Sequence, residues 1–406
     1  MPSSMSALRL HAKWLILATV VAGLAGTASA WFLLALDWAT RTREAHPWLL
    51  AGLPLAGLLM GWVYLRIGRE VERGNNLLID EVHDPRRVVP LRMAPLILLS
   101  TVVSHLFGAS VGREGTAVQM GGALADQLTH AARLRPEDRS VLLMTGISAG
   151  FASVFGTPLA GTVFALEVLA IGRFRHEALW PCLVAAVLAD RVCLLWGAHH
   201  AHYAAGPVPA WSVAVLGAVV VAGVLCGLVG RGFAHATHRL SALMARHFAW
   251  SPWRPLVGGT VLALAIWGFD AWRYAGLGLT GLAEAFTQPL PLWDWALKGL
   301  FTVVSLGTGF KGGEVTPLFY IGATFGNALA LLLQQPFAWL AALGMVAVFA
   351  GAANTPLACT LLAVELFGSD IAVSAALVCV LSYLASGHAG IYRAQRVMQP
   401  KHRLLP

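Results

Sequence analysis

The sequence predicts an all-α polytopic membrane protein with interrupted helices and two related halves. Of its 406 residues, 57% are hydrophobic and 12% are charged, whereas a soluble globular domain carries roughly 25% charged residues. Several uncharged stretches reach the ~20 residues that a helix needs to cross a hydrocarbon core ~30 Å thick. One motif also occurs twice in the chain, which indicates the two halves.

Uncharged stretches of membrane-spanning length occur in both parts of the chain. No Asp, Glu, Lys or Arg occurs from Val315 to Val364, and none occurs from Ile371 to Tyr392. In the N-terminal part the stretches are Trp14 to Leu36, Pro47 to Leu65, Met93 to Val111 and Ser140 to Leu166.

The first of these stretches also resembles a secretory signal. Arg9 and Lys13 precede an apolar core, and Ala28 to Ala30 reads ASA, as at a cleavage site. The apolar run continues to Leu36, however, so we predict a retained membrane helix.

The basic residues predict the orientation in the membrane. The net charge is +8, but the cations are scattered between apolar runs, as the positive-inside rule predicts, and nucleic acid is not an expected partner. Arg9 and Lys13 precede the first span, and four cations follow the last span, namely Arg393, Arg396, Lys401 and Arg403. We therefore predict a multi-pass protein of the bacterial inner membrane with both termini in the cytoplasm.

Two segments of the chain repeat each other. Thr157 to Glu167 reads TPLAGTVFALE and Thr355 to Glu365 reads TPLACTLLAVE, which are identical at seven of eleven positions. Upstream, the TVVS of Thr101 to Ser104 recurs at Thr302 to Ser305, followed by matching glycines. A duplicated unit explains both matches, because they occur in the same order.

These matches divide the chain into predicted units. We expect one membrane transport domain over residues 1–406, with repeat 1 at about 14–195, a linker at about 197–209, repeat 2 at about 210–390 and a short basic cytoplasmic tail at 393–406. No cytoplasmic regulatory domain is expected. In transporters, repeats of inverted topology place the substrate at their interface, on the ends of interrupted helices.

Each half contains a charged, glycine-rich break between apolar segments. The breaks are Gly108 to Thr116, which reads GASVGREGT, and Gly309 to Pro317, which reads GFKGGEVTP. Glycines let the backbone leave helical geometry, and a new helix that starts there presents free amides and its positive dipole end. A third break, Gly74 to Asn76, offers asparagines that either cap a helix or donate to an anion.

Glu114 is the candidate gating residue. A carboxylate inside a membrane costs roughly 2.5–3.5 kcal/mol on insertion scales and is a functional candidate by default; structural pairing with Arg113 is the alternative. Near helix N-termini the ionised Glu114 can occupy the place of an anion, and protonation releases it. Binding of the anion and of the proton are then linked.

These residues resemble the loops of the CLC family of anion channels and anion/proton antiporters. The corresponding stretches are Gly112 to Thr116 (GREGT), Gly313 to Pro317 (GEVTP) and Gly74 to Leu78 (GNNLL). The resemblance covers nearly the whole chain. It implies a CLC-like fold of two inverted-topology repeats with broken helices meeting at a central anion pathway, in a homodimer.

The departures from the chloride-selective pattern resemble the fluoride/proton antiporter branch. Thr116 replaces a proline, Asn75 stands where chloride-selective members have serine, and Val315 stands where they have phenylalanine. The resemblance therefore implies fluoride and protons as the transported species. Chloride remains the alternative, carried by a channel or a chloride/proton antiporter of the same fold.

The resemblance also implies the site residues. Glu114 would be the gating and proton-carrying glutamate, and Tyr392 a pore-facing tyrosine, although an interfacial tyrosine fits the same position. The implied anion-binding residues are Asn75, Gly112, Arg113, Gly115, Thr116, Glu314, Val315, Thr316 and Tyr392.

The inner proton-transfer glutamate of chloride antiporters has no direct counterpart. Its aligned position is Val168, and Glu167 lies one residue earlier. Because Glu167 and Glu365 occupy equivalent positions in the two repeats, we predict a shared structural role such as capping or pairing. A proton-relay role for Glu167 stays open.

Other patterns suggest different chemistry but lack support. Gly307 to Gly312 matches GxGxxG but has no acidic residue ~20 positions later for a ribose. Ser104, His105 and Ser110 could be nominated for an intramembrane hydrolase, without a motif. His199, His200 and His202 are read as a solvated loop with no acidic partner nearby, and the five cysteines as single buried packing residues. No enzyme, cofactor or metal is expected.

Overall fold

Helices of very unequal length make up most of the described chain. The computed structural model describes residues 4–201 and 203–401. Within these residues two short strands, β1 (Ala170–Ile171) and β2 (Arg396–Val397), pair in parallel. The helices are α1 (Ser4–Ala45), α2 (Leu53–Val63), α3 (Asn75–His83), α4 (Met93–Phe107), α5 (Glu114–Asp126), α6 (Leu128–Ala131), α7 (Pro136–Phe155), α8 (Pro158–Glu167), α9 (Leu179–Leu195), α10 (Val213–His247), α11 (Trp253–Gly268), α12 (Leu279–Glu284), α13 (Asp294–Thr308), α14 (Val315–Leu333), α15 (Phe337–Ala353), α16 (Pro356–Phe367) and α17 (Ala372–Ala385).

Five helical segments of the described chain are long and apolar enough to cross a membrane. The second of them joins α2 to α3 through a π-helical turn at Tyr64–Gly68. The segments are Arg9–Ala45, Pro47–His83, His176–Leu195, Val213–His247 and Val315–Leu333. The prediction of an all-α polytopic membrane protein is confirmed.

The predicted helix breaks lie at the predicted residues. α4 ends at Gly108 (φ 96°) and α13 ends at Gly309 (φ 109°), both in a left-handed conformation that glycine adopts without steric cost. New helices then begin at Glu114 and at Val315. α3 likewise begins at Asn75, directly after Gly74 with φ 55°.

One predicted segment is divided. The uncharged stretch Ser140 to Leu166 forms two helices, α7 and α8, with a break at Gly156 (φ 72°). Pro158 causes the break, because the residue before a proline avoids the α conformation and Thr157 has φ −128° and ψ 77°. Absence of charge marks apolar sequence but does not reveal such a turn.

Two glutamates cap each other's helices. Glu167 at the end of α8 accepts hydrogen bonds from the amides of Leu357 (3.1 Å) and Ala358 (2.9 Å) at the start of α16. Glu365 near the end of α16 accepts from Leu159 (2.9 Å) and Ala160 (2.8 Å) at the start of α8. The two helices are therefore antiparallel, and the predicted shared capping role is confirmed.

A chain of contacts brings both described ends of the protein to one face. Lys13 of α1 pairs with Asp138 at the start of α7 (3.0 Å). The neighbouring Arg139 pairs with Glu81 near the end of α3. His83 contacts the carbonyl of Leu169 (2.8 Å), next to β1, which pairs with β2. We call the face that carries residues 390–401 the tail face.

The predicted linker is not uniformly solvated. It lies between α9 and α10, and its His200 is partly buried, lies against Gly156 and contacts Asp190 (3.1 Å). The prediction of a solvated loop without an acidic partner is therefore wrong for His200, because Asp190 lies ten residues earlier on α9. His199 is exposed, and His202 lies outside the described residues, as does Arg403.

We expect Glu167→Ala and Glu365→Ala each to lower the free energy of unfolding by about 1 kcal/mol, the usual cost of losing a helix N-terminal cap. The measurement is the thermal unfolding midpoint of the purified protein in detergent. Glu177→Ala is the control, because the Glu177 side chain is half-exposed and caps no helix of the other half, and its ion pair with Arg175 is a surface contact. An equal shift in all three variants would contradict a capping role.

Candidate anion site

The two charged breaks meet at the centre of the molecule through their backbones. The Gly112 amide donates to the Gly313 carbonyl (2.6 Å), and the Gly313 amide donates to the Gly112 carbonyl (2.8 Å). A Cβ atom on Gly112 would lie 2.7 Å from Cδ of Pro317 and 2.9 Å from the Gly313 oxygen. Only glycine allows this close approach.

The repeated TVVS motif holds these breaks in place. Ser104 of the first copy donates to the carbonyl of Lys311 in the second break (2.8 Å). Conversely, the Ser305 hydroxyl of the second copy accepts from the amide of Ser110 in the first break (2.9 Å). The Ser110 hydroxyl also contacts the Thr302 hydroxyl (2.9 Å). Each motif thus satisfies backbone groups of the other half.

The carboxylate of Glu114 lies at the N-terminus of α14. Glu114 is fully buried, and its Oε2 accepts hydrogen bonds from the amide (3.0 Å) and the hydroxyl of Thr316. Arg113 contacts Oε1 through Nε (3.3 Å). The carboxylate therefore takes the donors that a helix N-terminus offers to an anion.

Asn75, Gly115 and Glu314 converge beside this carboxylate. A Cβ atom on Gly115 would lie 3.0 Å from Nδ2 of Asn75 and 3.3 Å from Oε2 of Glu314. In the part of the chain that the structure describes, Oδ1 of Asn75 and Oε2 of Glu314 are buried without a hydrogen-bond partner. Both atoms are hydrogen-bond acceptors, so they are available to a proton or to another donor and not to an anion.

A cavity of about 540 Å³ leads to these residues. Asn75, Glu314 and Tyr392 lie on its wall, together with cations that outnumber the carboxylates. The cations are Arg69, Arg73, Arg254, Lys311 and Arg393, and the carboxylates are Glu72 and Glu314. A cleft lined by one sign of charge raises the local concentration of the opposite ion, which here is an anion.

Glu114 itself borders a second, much smaller space. That cavity, of about 20 Å³, is lined by Arg113, Glu114, Thr316 and several rings, including Tyr203 and Phe319. Tyr203 belongs to the predicted linker and stacks on Phe286 (ring centroids 5.1 Å apart). The pathway is therefore wide on the Glu314 side and nearly closed on the Glu114 side.

Tyr392 stands at one end of a chain of aromatic rings. It is buried, at 6% exposed, and its ring meets Phe164 edge-on at 6.5 Å. Contacts between ring centroids continue through Phe349 and Phe319 to Phe155, at 6.0, 5.5 and 5.2 Å. The rings thus connect the wall of the large cavity to that of the small one.

Two further residues of the predicted anion site, Thr116 and Val315, lie at the starts of helices. Thr116 lies in the first turn of α5, but its hydroxyl contacts Thr101 (2.8 Å) and its amide donates to the Arg113 carbonyl (3.1 Å). Val315 is buried at the first position of α14. The remaining predicted residues gather around the paired breaks.

Lys311 and Gln119 lie on the wall of the large cavity, and the sequence analysis assigned no role to either. Lys311 lies inside the second break, where its Nζ stands over the ring of Tyr64 (4.3 Å). Gln119 lies in α5 and touches Gly74. The charge of Lys311 within an apolar region was a usable signal, because such residues are functional candidates by default.

The other patterns form no catalytic arrangement in the described residues. The glycine string Gly307 to Gly312 begins inside the last turn of helix α13 and does not follow a strand. Ser104 donates to Lys311, and Nδ1 of His105 contacts the Thr101 carbonyl, so no serine–histidine pair forms. All five cysteines are free and buried, as predicted. No group of three or more His, Cys, Asp or Glu residues in this part of the chain is arranged to hold a metal ion.

Comparison with known proteins identifies relatives that match most of the chain. The model of the voltage gated chloride channel family matches residues 56–387. A chloride/fluoride channel protein of Pseudomonas syringae pv. tomato is 61% identical, over 100% of this chain and 91% of that protein. An H(+)/Cl(-) exchange transporter of Yersinia pestis is 27% identical, over 87% of this chain and 80% of its own.

Solved structures agree with these relatives. A CLC-type fluoride/proton antiporter superposes with a TM-score of 0.93 at 34% identity, covering 98% of this chain and 100% of that one. A slow cyanobacterial Cl-/H+ antiporter superposes with a TM-score of 0.82 at 22% identity, covering 93% and 96% of the two chains. The second likeness concerns the fold alone.

We expect Gly112→Ala to lower the free energy of unfolding by about 1–3 kcal/mol, because the added methyl group overpacks the junction of the breaks. Gly232→Ala is the control, since nothing lies within 4 Å of a Cβ there and alanine favours the α10 helix. Thermal unfolding of both purified variants measures the difference. Equal midpoints would contradict a tight contact between the two breaks.

Proposed function

Because the chain belongs to the voltage-gated chloride channel (CLC) family, we propose that it is a fluoride/proton antiporter that exports fluoride and confers fluoride resistance. Members of this family are channels or transporters, so the chain is a membrane anion transporter and not an enzyme. The observation that carries the proposal is the Glu114 carboxylate on the N-terminus of α14.

Glu114 links the anion to the proton by competing for the same donors. In its ionised form the carboxylate accepts from the amide and hydroxyl of Thr316 and is held by Arg113. An anion that needs these donors must displace it. Protonation removes its charge, so the carboxyl group leaves the helix N-terminus and the anion enters. Anion and proton therefore take turns at one place.

The large cavity supplies the anion to this point. Its excess of cations attracts fluoride, and the Asn75 amide and the Tyr392 hydroxyl are positioned to donate hydrogen bonds at its inner end. Glu314 stands between the cavity and Glu114. In its protonated form Glu314 offers a hydroxyl donor, and in its ionised form it repels an anion, so its charge controls entry.

The comparisons and the sequence both favour fluoride over chloride as the transported anion. The structure at 34% identity is a fluoride/proton antiporter, whereas the H(+)/Cl(-) exchange transporter is 27% identical and the relative at 61% identity is named for both chloride and fluoride. Asn75, Thr116 and Val315 also depart from the chloride-selective pattern. Fluoride is strongly hydrated, and the positive edges of the aromatic rings add to the donors that replace its water.

The orientation and assembly belong to the same proposal. The large cavity shares residues with the tail face, including Tyr392 and Arg393. With both termini in the cytoplasm of a bacterial cell, this cavity opens to the cytoplasm and collects fluoride for export. The homodimer rests on the resemblance to the family alone.

We expect Glu114→Gln to abolish proton-coupled transport, because the amide cannot alternate between charged and neutral forms. Liposomes loaded with fluoride or chloride, followed with ion electrodes and an internal pH probe, measure both fluxes at once. The control is Glu72→Gln, which removes a carboxylate of the cavity wall outside the proposed gate. Full coupling in Glu114→Gln, or chloride efflux by the wild type as fast as fluoride efflux, would contradict the proposal.

We expect Asn75→Ser to lower the ratio of fluoride to chloride efflux by about tenfold, which corresponds to ~1.4 kcal/mol of discrimination. The change replaces an amide donor with the hydroxyl of the chloride-selective pattern. Thr237→Ser is the control on the same cavity wall, because the Thr237 hydroxyl donates to the Phe233 carbonyl within α10 and serine keeps that hydroxyl. An unchanged ratio in Asn75→Ser would remove Asn75 from the selectivity mechanism.

A further inference from the structure

The segment that follows α17 crosses the tail face as an ordered strap. We call residues 390–401 the C-terminal strap. Its strand β2 pairs with β1, where the Met398 amide donates to the Ile171 carbonyl (3.0 Å). The strap contains Tyr392, so its attachment decides where that ring lies.

Gln395 attaches the strap to both halves of the protein with one side chain. Its Nε2 donates to the carbonyls of Val168 (2.9 Å) and Ala353 (3.1 Å). Its Oε1 accepts from Nδ2 of Asn354 (2.7 Å). Val168 directly follows the capping residue Glu167, and Asn354 lies between α15 and α16. Gln395 thus joins the end of α8 to the start of α16.

Lys401 anchors the far end of the strap. Its Nζ lies 3.8 Å from the ring centroid of Tyr383 and donates to Oδ1 of Asn354 and to the carbonyl of Tyr383, both at 2.6 Å. It also donates to the carbonyl of Gly387 at the C-terminus of α17. A cation is favoured at this end of a helix. Asn354 therefore contacts both attachment residues.

The backbone is fixed on both sides of Tyr392. The amide of Ile391 donates to the Ala352 carbonyl (2.9 Å), and the amide of Ala394 donates to Oδ1 of Asn76 (2.9 Å). Between them the Tyr392 ring is buried beside Phe164 and lines the large cavity. The Asn76 contact ties the strap to the residue after Asn75 in the proposed pathway.

We propose that Gln395 is a positioning residue for transport, which, with Lys401 as anchor, holds Tyr392 at the inner end of the large cavity. The inference rests on the proposed function, because it concerns the same pathway. A fixed Tyr392 narrows the pathway at this end while Glu114 exchanges its proton. A loosened strap lets the ring move, and the anion then passes without a matching proton.

The test compares Gln395→Ala and Gln395→Glu with Gln399→Ala in reconstituted liposomes. Gln395→Glu keeps the shape but cannot donate to the two carbonyls, whereas the side chain of Gln399 is exposed in the same strap. We expect both Gln395 variants to keep fluoride efflux and lose proton coupling, and Gln399→Ala to match the wild type. Lys401→Ala should behave like Gln395→Ala, and Lys401→Arg should restore coupling.

A second readout does not depend on the transported ion. A cysteine placed at Ile391, which is buried, reports opening of the strap through its rate of reaction with a membrane-impermeant thiol reagent. Adding Gln395→Ala should raise that rate about tenfold, as expected for ~1.4 kcal/mol less free energy of local opening.

Three results distinguish the proposals. An unchanged cysteine rate would overturn the positioning role, as would fluoride and proton fluxes that fall in equal proportion. A wild type that moves no fluoride would overturn the proposed function instead, and the cysteine rate would still decide whether Gln395 holds the strap.

Discussion

The pair of backbone hydrogen bonds between Gly112 and Gly313 is the contact on which the rest of the site depends. Helices that break inside a membrane leave amides and carbonyls that lipid cannot satisfy, so broken segments must find partners within the protein. Here the two breaks satisfy each other, and Ser104 and Ser305 complete the pairing from opposite halves. With the breaks fixed, the N-terminus of α14 faces Glu114.

Three carboxylates of this fold accept hydrogen bonds from helix N-termini, but their surroundings differ. Glu114, Glu167 and Glu365 each accept hydrogen bonds from the N-terminus of a helix in the other half. Glu167 and Glu365 each hold two backbone amides at the ends of a helix pair, which suits a permanent cap. From α14 Glu114 accepts one amide and one hydroxyl, and it borders the small cavity, which suits a group that must leave.

Local sequence signals predicted the helix breaks well because their causes are local. Gly74, Gly108 and Gly309 adopt positive φ angles, and helices begin where the apolar runs resume. The repeated motif also predicted a shared capping role for Glu167 and Glu365. The pairing of His200 with Asp190, the contact of Thr116 with Thr101 and the aromatic chain from Tyr392 depend on tertiary packing, which no periodicity reveals. Gln395 carried no signal, since its partners, Val168 and the adjacent Ala353 and Asn354, lie far from it in the sequence.

The cross-capping of α8 and α16 has a consequence for the history of such a chain. Each helix end finds its partner in the matching motif, so two separate copies of one ancestral half could have satisfied the same contacts. In a single polypeptide the two copies need not stay identical. Glu114 aligns with Val315 in the matched alignment, and Arg113 aligns with Glu314. The caps of α8 and α16 are therefore equivalent in the two halves, whereas the two central loops differ, and Glu114 of the first accepts hydrogen bonds from Thr316 of the second.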